Sequence, residues 1–237
     1  GFDRLAAECD VTVAMPLRVP DWVDEEGYGP LDMLLDTTCR QRMLEGGNRG
    51  GKTSHSANMA AYDWLLYGGP GAEFALLAPE MKQAHLIKKK LFEGETTNRF
   101  NPPIIPDALW LAIPEKERQE DQCCHMVDGS NFWITHAKQA GHLKGRAWVR
   151  AYWTEAYECM HSEVHTVARA RLVDAAGILT LDSTPGRDLK HWLKTGVVDV
   201  ANAEKHLAMH AKPTDPPVPR LTRILNFSSM RNPWICP

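Results

Sequence analysis

The sequence predicts an α/β fold with a mostly parallel central sheet flanked by helices, plus a β-hairpin. Three observations support this prediction. Runs typical of buried strands alternate with helical runs, a glycine-rich loop joins the first strand to a helix, and an Asp-Gly turn separates two short alternating runs. With 237 residues, 43% of them hydrophobic, the chain is long enough for one large α/β domain or two small ones.

The glycine-rich loop spans residues 46–53 and fits the pattern G-x-x-x-x-G-K-[ST] at every fixed position. Its glycines let successive backbone N–H groups point inward at an anion. Lys52 is suited to the β- and γ-phosphates of a nucleotide, and Thr53 offers a hydroxyl to Mg²⁺. An ordinary glycine-rich turn is the alternative, but a strand before the loop and a helix after it favour a P-loop. The predicted ATP-binding residues here are Gly46, Gly47, Asn48, Arg49, Gly50, Gly51, Lys52 and Thr53.

The fold class is therefore a P-loop NTPase of the RecA/ASCE-like type, with ATP and Mg²⁺ as cofactors. The other elements follow from hydrophobic periodicity and from the Asp128-Gly129 turn. In chain order we predict a helix over 31–41, strands over 42–45 and 74–78, a helix over 80–92, hairpin strands over 123–127 and 132–136, a strand over 148–153, a helix over 164–172 and a strand over 177–181.

Proline content sets the predicted domain boundaries. Residues 1–30 contain three prolines that break any long element, which indicates an N-terminal arm. Residues 31–212 form the predicted P-loop ATPase domain. Residues 213–237 are rich in proline and are predicted to be an extended segment.

Composition excludes several classes of protein. The formal net charge of −3 carries no nucleic-acid signature for the chain as a whole, so any DNA contact must come from a local patch. No apolar run approaches the ~20 residues that a membrane span needs, and the N-terminus lacks the features of a secretory signal. The six cysteines show no regular framework, which indicates reduced thiols. The adjacent Cys123 and Cys124 are poorly spaced for zinc.

Hydrolysis requires an acidic residue on a strand beside the P-loop. Glu155 directly follows the strand predicted over 148–153, so its carboxylate is expected at the edge of the sheet that holds the phosphates. A surface glutamate is the alternative. The order of strand and then glutamate favours a catalytic role, in which Glu155 orients or deprotonates the attacking water.

These motifs together resemble the ATPase domain of the large terminase subunit of tailed bacteriophages, the motor that packages DNA into a capsid. The resemblance covers most of residues 40–235 and rests on the P-loop and five further segments. These are Leu77-Ala78-Pro79 with Lys82-Gln83, Asp128-Gly129-Ser130, Leu143-Lys144-Gly145, Ser183-Thr184-Pro185-Gly186 and Asn232-Pro233. One departure concerns the acidic site, because Thr154 stands where the family usually has an aspartate before the catalytic glutamate.

The resemblance implies roles for further residues. Gln41 resembles the family's adenine-reading glutamine, and Ser183 and Thr184 resemble its coupling motif, which links hydrolysis to motion. Arg49 in the loop and Arg146, which would reach a neighbouring subunit, are candidates to stabilise charge on the γ-phosphate. Thr53 and, through a water, Thr154 are the candidate metal ligands. Glu158 is a weaker candidate for the metal, and Arg169 and Arg171 are weaker candidates to stabilise charge on the γ-phosphate.

The resemblance also implies partners: double-stranded DNA, the portal protein, the small terminase subunit and other copies of the chain in a ring, with a monomer as the alternative for the isolated domain. No membrane partner is expected. Localisation would be the host bacterial cytoplasm, at the procapsid portal. Because family members continue into a nuclease domain, the chain is interpreted as an isolated ATPase domain, with Gly1 as a cloning remnant.

Two alternative functions remain open at this point. One is a helicase-like nucleic-acid remodelling ATPase, which would need a second RecA-like domain. The other is a nucleotide-binding scaffold in which Thr154 marks lost hydrolysis.

Overall fold

The structure of the chain, a computed structural model, describes residues 23–47, 51–94, 102–111, 122–138, 143, 145–186, 188–212, 214–217 and 219–227. Most of the predicted N-terminal arm and the predicted landmark Asn232-Pro233 lie outside these ranges. No helix in the described part is long and apolar enough to cross a membrane.

The described residues contain helices and strands in alternation. The strands are β1 (Gln41–Gly46), β2 (Glu73–Ala78), β3 (Trp110–Leu111), β4 (Gln122–Met126), β5 (Asn131–His136), β6 (Arg150–Trp153), β7 (Ile178–Ser183) and β8 (Thr222–Phe227). The α-helices are α1 (Pro30–Leu35), α2 (Lys52–Tyr67), α3 (Met81–Lys88), α4 (Ser162–Val173) and α5 (Asp199–His210).

All eight strands join one sheet in the order β3-β4-β5-β2-β6-β7-β1-β8. The pairs from β5 through β2, β6, β7 and β1 to β8 are parallel, and only the pairs β3–β4 and β4–β5 are antiparallel. The predicted α/β fold with a mostly parallel central sheet is thereby confirmed.

Apolar side chains cover both faces of the sheet. Along β2, Phe74, Leu76 and Ala78 pack in one core cluster with residues of α1, α2 and α3, whereas Ala75 and Leu77 pack in a second cluster with residues of α4. Alternate residues of a strand point to opposite faces, so β2 is buried on both sides, as its continuous apolar run predicts.

The predicted hairpin is confirmed as β4 and β5. Gly129, at φ +83°, supplies the left-handed conformation of its turn. The indole of Trp64, near the end of α2, donates to Asp128 Oδ2 at 2.9 Å and to Ser130 Oγ at 3.0 Å. The turn is therefore fixed to the helix that follows the P-loop.

A buried charge cluster, formed by Arg42, Asp63, Arg150 and Tyr152, ties three elements together. Arg42 Nη1 of β1 lies 3.3 Å and Arg150 Nε of β6 lies 3.5 Å from Asp63 Oδ2 of α2. The hydroxyl of Tyr152 donates to the same oxygen. Arg42 and Asp63 are 0% and 1% exposed, so water compensates neither charge.

Three elements were not predicted from the sequence. β3 has only two residues, and α5 follows a stretch without clear periodicity. The third, β8, lies inside the segment that was predicted to be extended and outside the domain. It pairs in parallel with β1, from Gln41–Thr222 to Gly46–Phe227. The prolines before residue 220 obscured this strand, because they are typical of linkers.

Candidate nucleotide-binding site

The carboxyl ends of β1, β6 and β7 meet at one edge of the sheet. Since β7 lies between β6 and β1, its residue Asp182 is opposite Leu44 of β1, and Leu181 is opposite Trp153 of β6. In open parallel sheets ligands bind outside this edge. The P-loop motif begins at the last residue of β1, Glu155 lies two residues after β6, and the Ser183-Thr184 pair begins at the last residue of β7.

Lys52 is the centre of the site. It is the first residue of α2 and only 5% exposed. Its Nζ donates to the carbonyl oxygens of Gly46 at 2.8 Å and Gly47 at 3.0 Å, and to Thr184 Oγ1 at 3.4 Å. The ammonium thus joins the two ends of the loop motif to the predicted coupling residue.

The backbone at the start of α2 is suited to an anion. Gly51 adopts φ +90° directly before the helix, a conformation that favours glycine. The 16-residue helix places the positive end of its dipole and its free N–H groups at this point. Thr53, the second helical residue, is half-buried here. Asn48, Arg49 and Gly50 lie outside the described residues.

An unpredicted carboxylate, Asp182, occupies the space between β6, β7 and α2. It is 1% exposed. Its Oδ1 accepts a hydrogen bond from Thr154 Oγ1 at 2.8 Å, and its Oδ2 accepts one from Ser56 Oγ at 2.8 Å. Burial raises the pKa of Asp182 to about 6, and the nearby Glu155 carboxylate raises it further, against the lowering effects of these two hydrogen bonds and of the Lys52 ammonium.

Glu155 has an unusual backbone conformation. Its φ of +50° and ψ of +43° are left-handed, which is uncommon for a residue with a side chain. It begins a short 3₁₀ turn, Ala156–Glu158, immediately after Thr154. Such conformations concentrate at functional sites, and the effect of Glu155 on the pKa of Asp182 places its charge near the Asp182–Thr154 pair.

The predicted coupling segment is held by Tyr157. The backbone N–H of Tyr157 donates to Ser183 Oγ at 2.9 Å, and its hydroxyl donates to Asp188 O at 3.0 Å and accepts from Asp188 N at 2.6 Å. A Cβ added to Gly186 would lie 1.7 Å from the Tyr157 ring. Only glycine therefore fits at residue 186 while the ring stays in place.

Some predicted site residues lie elsewhere. Gln41 is at the opposite end of β1 from the loop, where its buried side chain bonds to His165 Nε2 at 2.8 Å. A six-residue strand spans roughly 17–20 Å, so Gln41 is not at the phosphate edge. The Arg146 guanidinium lies 3.4 Å from the centroid of the Trp133 ring on β5, with β2, β6 and β7 between β5 and β1.

The structure places the weaker candidates in the turn after β6 and on α4. Glu158 is exposed and accepts a hydrogen bond from Gln83 at 2.6 Å. Arg169 is exposed on α4, and Arg171 lies near the end of the same helix. Sequence reasoning missed Asp182, Ser56 and Tyr157. The available signal for Asp182 was a charged residue inside an otherwise apolar strand, since such residues are seldom buried without a reason.

Within the described residues, no three His, Cys, Asp or Glu side chains are grouped so as to hold a metal ion. Four cysteines in these ranges, Cys39, Cys123, Cys124 and Cys159, are buried and form no disulfide within the described residues. Burial raises the pKa of the thiols of Cys39, Cys124 and Cys159, which keeps them in the protonated form that binds metals poorly.

Comparison with known proteins gives matches only at the level of structure. No protein-family model matches the sequence, and no curated protein matches it. The ADP complex of the large terminase from a thermophilic bacteriophage superimposes with a TM-score of 0.58 and 12% identity over 87% of this chain and 47% of that chain. The same terminase was also solved with ATP-gamma-S.

Two further solved structures have the same fold. The ATPase domain of the Thermus phage P74-26 large terminase matches with a TM-score of 0.51 and 15% identity, over 89% of this chain and 86% of that domain. The HK97 bacteriophage large terminase matches with a TM-score of 0.56 and 14% identity, over 85% of this chain and 41% of that chain. The chain therefore has the fold of phage large terminase ATPase domains and spans less than half of two of these structures.

Proposed function

We propose that this chain is an ATP-hydrolysing motor domain that drives translocation of double-stranded viral DNA into a procapsid. The observation that carries the proposal is the position of Lys52 Nζ. This ammonium contacts Gly46, Gly47 and Thr184 at the carboxyl edge of the sheet. Glu155 lies just after the carboxyl end of β6, at the same edge. The likeness to terminase ATPase domains supports the choice of a motor among the many P-loop enzymes.

ATP binding is assigned to the loop and the start of α2. The bonds from Lys52 to the Gly46 and Gly47 carbonyls hold the ammonium where a triphosphate would meet the free N–H groups of the helix. In the bound state phosphate oxygens would replace these carbonyl acceptors. Gly51 and Thr53, with Asn48, Arg49 and Gly50, complete the proposed loop. Gln41 is left out, because it lies at the other end of β1.

Mg²⁺ fits the donors of this edge, which are hydroxyl and carboxylate oxygens of Thr53, Thr154, Asp182 and Glu155. Since the ion keeps several waters and binds the nucleotide's phosphates, it needs few ligands from the protein. Thr53 is the proposed direct ligand. When bound, the ion would neutralise charge that develops on the transferred phosphoryl group.

Glu155 is the proposed water-orienting residue, because it follows β6 next to the phosphate edge and its backbone is held in a left-handed conformation. Thr184 would sense the γ-phosphate through Lys52, and Ser183 would pass the change to the Tyr157 backbone. Arg49 in cis remains a proposal. Arg146 stacks on Trp133 away from the loop, so we propose it only for a neighbouring subunit of a ring.

The proposed partners are duplex DNA, the portal protein and the small terminase subunit, with action at the procapsid portal in the host bacterial cytoplasm. A helicase-like remodelling ATPase and a non-hydrolysing scaffold are the rival functions. The left-handed Glu155 favours an enzyme over a scaffold, since strained conformations are retained at catalytic sites.

The test compares Lys52→Ala, Glu155→Gln and the control Glu158→Gln, whose exposed side chain bonds to Gln83. We expect Lys52→Ala to lose both ATP binding and phosphate release, Glu155→Gln to keep binding and lose about 10²–10⁴-fold in turnover, and the control to match the unmodified chain. Turnover should be measured at rising protein concentration and with procapsids, where DNA uptake is scored. Unmodified turnover in Glu155→Gln, or duplex unwinding without uptake, contradicts the proposal.

A further inference from the structure

We propose that Asp182 supplies the negative charge toward Mg²⁺ that the aspartate before the catalytic glutamate would otherwise supply, and that Thr154 positions it. This inference rests on the proposed ATPase function and extends it. In the sequence the position before Glu155 has no acidic residue, because it is Thr154. In the folded chain the carboxylate of Asp182, on the neighbouring strand β7, lies beside this position, and Thr154 Oγ1 donates to Asp182 Oδ1 at 2.8 Å.

The surroundings of Asp182 differ from those of the other buried carboxylate described above. Asp63 lies near two guanidinium groups, those of Arg42 and Arg150. Asp182 instead accepts hydrogen bonds from two neutral hydroxyls, those of Ser56 and Thr154. The Lys52 ammonium also acts on its charge, but only through space. A buried carboxylate without a directly bonded cation costs folding free energy. A divalent cation that arrives with the nucleotide would compensate this charge, which gives Asp182 a reason to be retained.

Its position is also adjacent to the proposed metal ligand. Ser56, which donates to Asp182 Oδ2, is three residues after Thr53 on α2. Residues three apart share one face of a helix, and their rise of about 4.5 Å leaves room for a water between the Asp182 carboxylate and an ion on Thr53. Mg²⁺ characteristically keeps such waters. Asp182 would therefore accept hydrogen bonds from water molecules that are bound to the ion.

This assignment changes the role of Thr154. The sequence alone made Thr154 a candidate metal ligand through water. In the structure its hydroxyl hydrogen faces Asp182 Oδ1 instead, so Thr154 acts as a positioning residue. The strand β7 lies directly beside β1, whereas β6 is one strand farther away. A carboxylate on β7 is thus nearer to the P-loop strand than one at Thr154.

The experiment measures Mg²⁺-dependent binding of a fluorescent ATP analogue to the 237-residue chain, with and without EDTA, and counts bound Mn²⁺ by electron paramagnetic resonance. The variant is Asp182→Asn, which keeps a carbonyl acceptor for one hydroxyl. The control is Glu158→Gln, a nearby exposed carboxylate. We expect Asp182→Asn to raise, by about 10–100-fold, the Mg²⁺ concentration at which the enhancement of analogue binding is half-maximal. Binding of the analogue in EDTA should be unchanged, and the control variant should behave like the unmodified chain.

A double variant, Thr154→Asp with Asp182→Thr, moves the carboxylate to the other strand. It should recover Mg²⁺ dependence to within a few-fold of the unmodified chain, and it decides the question if Asp182→Asn does not fold. Retention of the full Mg²⁺ enhancement and of Mn²⁺ binding by Asp182→Asn, or a failure of the folded double variant to recover them, overturns this inference alone. An unmodified chain that binds no ATP overturns the proposed function instead.

Discussion

Replacing Asp63 by asparagine tests whether the buried charge cluster holds together the elements that carry the site. Asp63 is 1% exposed and is the shared partner of Arg42, which is 0% exposed, and Arg150, which is 5% exposed. Asparagine keeps the shape of the side chain and removes the charge. Two guanidinium groups then stay buried without a counter-ion.

Breaking a buried ion pair in this way costs about 3–5 kcal/mol of unfolding free energy. At roughly 2–4 °C of melting temperature per kcal/mol for a chain of this size, the midpoint should fall by about 6–20 °C. The matched control is Glu26→Gln, which removes a carboxylate that also bonds two cations, Lys205 and Arg220, but at the surface. Exposed pairs of this kind contribute about 0–1 kcal/mol.

Urea denaturation followed by circular dichroism measures both variants, and an unchanged slope would show that the free energies are comparable. A loss in Asp63→Asn within about 1 kcal/mol of the unmodified chain, or a loss equal to that of Glu26→Gln, would refute the reasoning.

Two further predictions concern His165 and Gly186. Burial, with a smaller effect of Arg169, lowers the pKa of His165 to about 4, so the unfolded chain takes up this proton first as pH falls. The contribution of His165 to the free energy of unfolding is complete above pH 6.5 and should decline by up to about 3 kcal/mol toward pH 4. His165→Gln should remove this part of the pH dependence, measured as the difference between the urea midpoints at pH 7 and pH 4.5. An identical slope in the variant would contradict this. Gly186→Ala should cost about 1–3 kcal/mol because of its overlap with the Tyr157 ring, and should reduce ATP turnover more than ATP binding. The same loss in a Tyr157→Ala background, measured as a double-mutant cycle, would show that the ring is not the cause.

The parts of the fold that were predictable have local signals. Three segments could each be predicted from a stretch of about ten residues. They are the loop at 46–53, the apolar run of β2 and the Asp128-Gly129 turn. β8 was missed because the prolines before it are typical of linkers and because its pairing with β1 joins residues far apart in the sequence. Asp182 was missed because its neighbours Ser56 and Thr154 are 126 and 28 residues away along the chain.

Gln41 was a candidate through the resemblance alone, and its role in reading adenine stays a prediction. The extended strand β1 separates it from Gly46 by the whole length of the strand. The strand order therefore decides which candidate residues meet. That order depends on long-range packing and is not encoded in any single motif.

The parallel pairing of β8 with β1 has a mechanical consequence. Phe227, the last residue of β8, is opposite Gly46, the first residue of the loop motif. A pull on the chain beyond Phe227, directed along the strand, would load all hydrogen bonds between the two strands at once, in shear, instead of opening them one by one. Force from that side would reach the glycine-rich loop motif at Gly46 directly from the neighbouring strand.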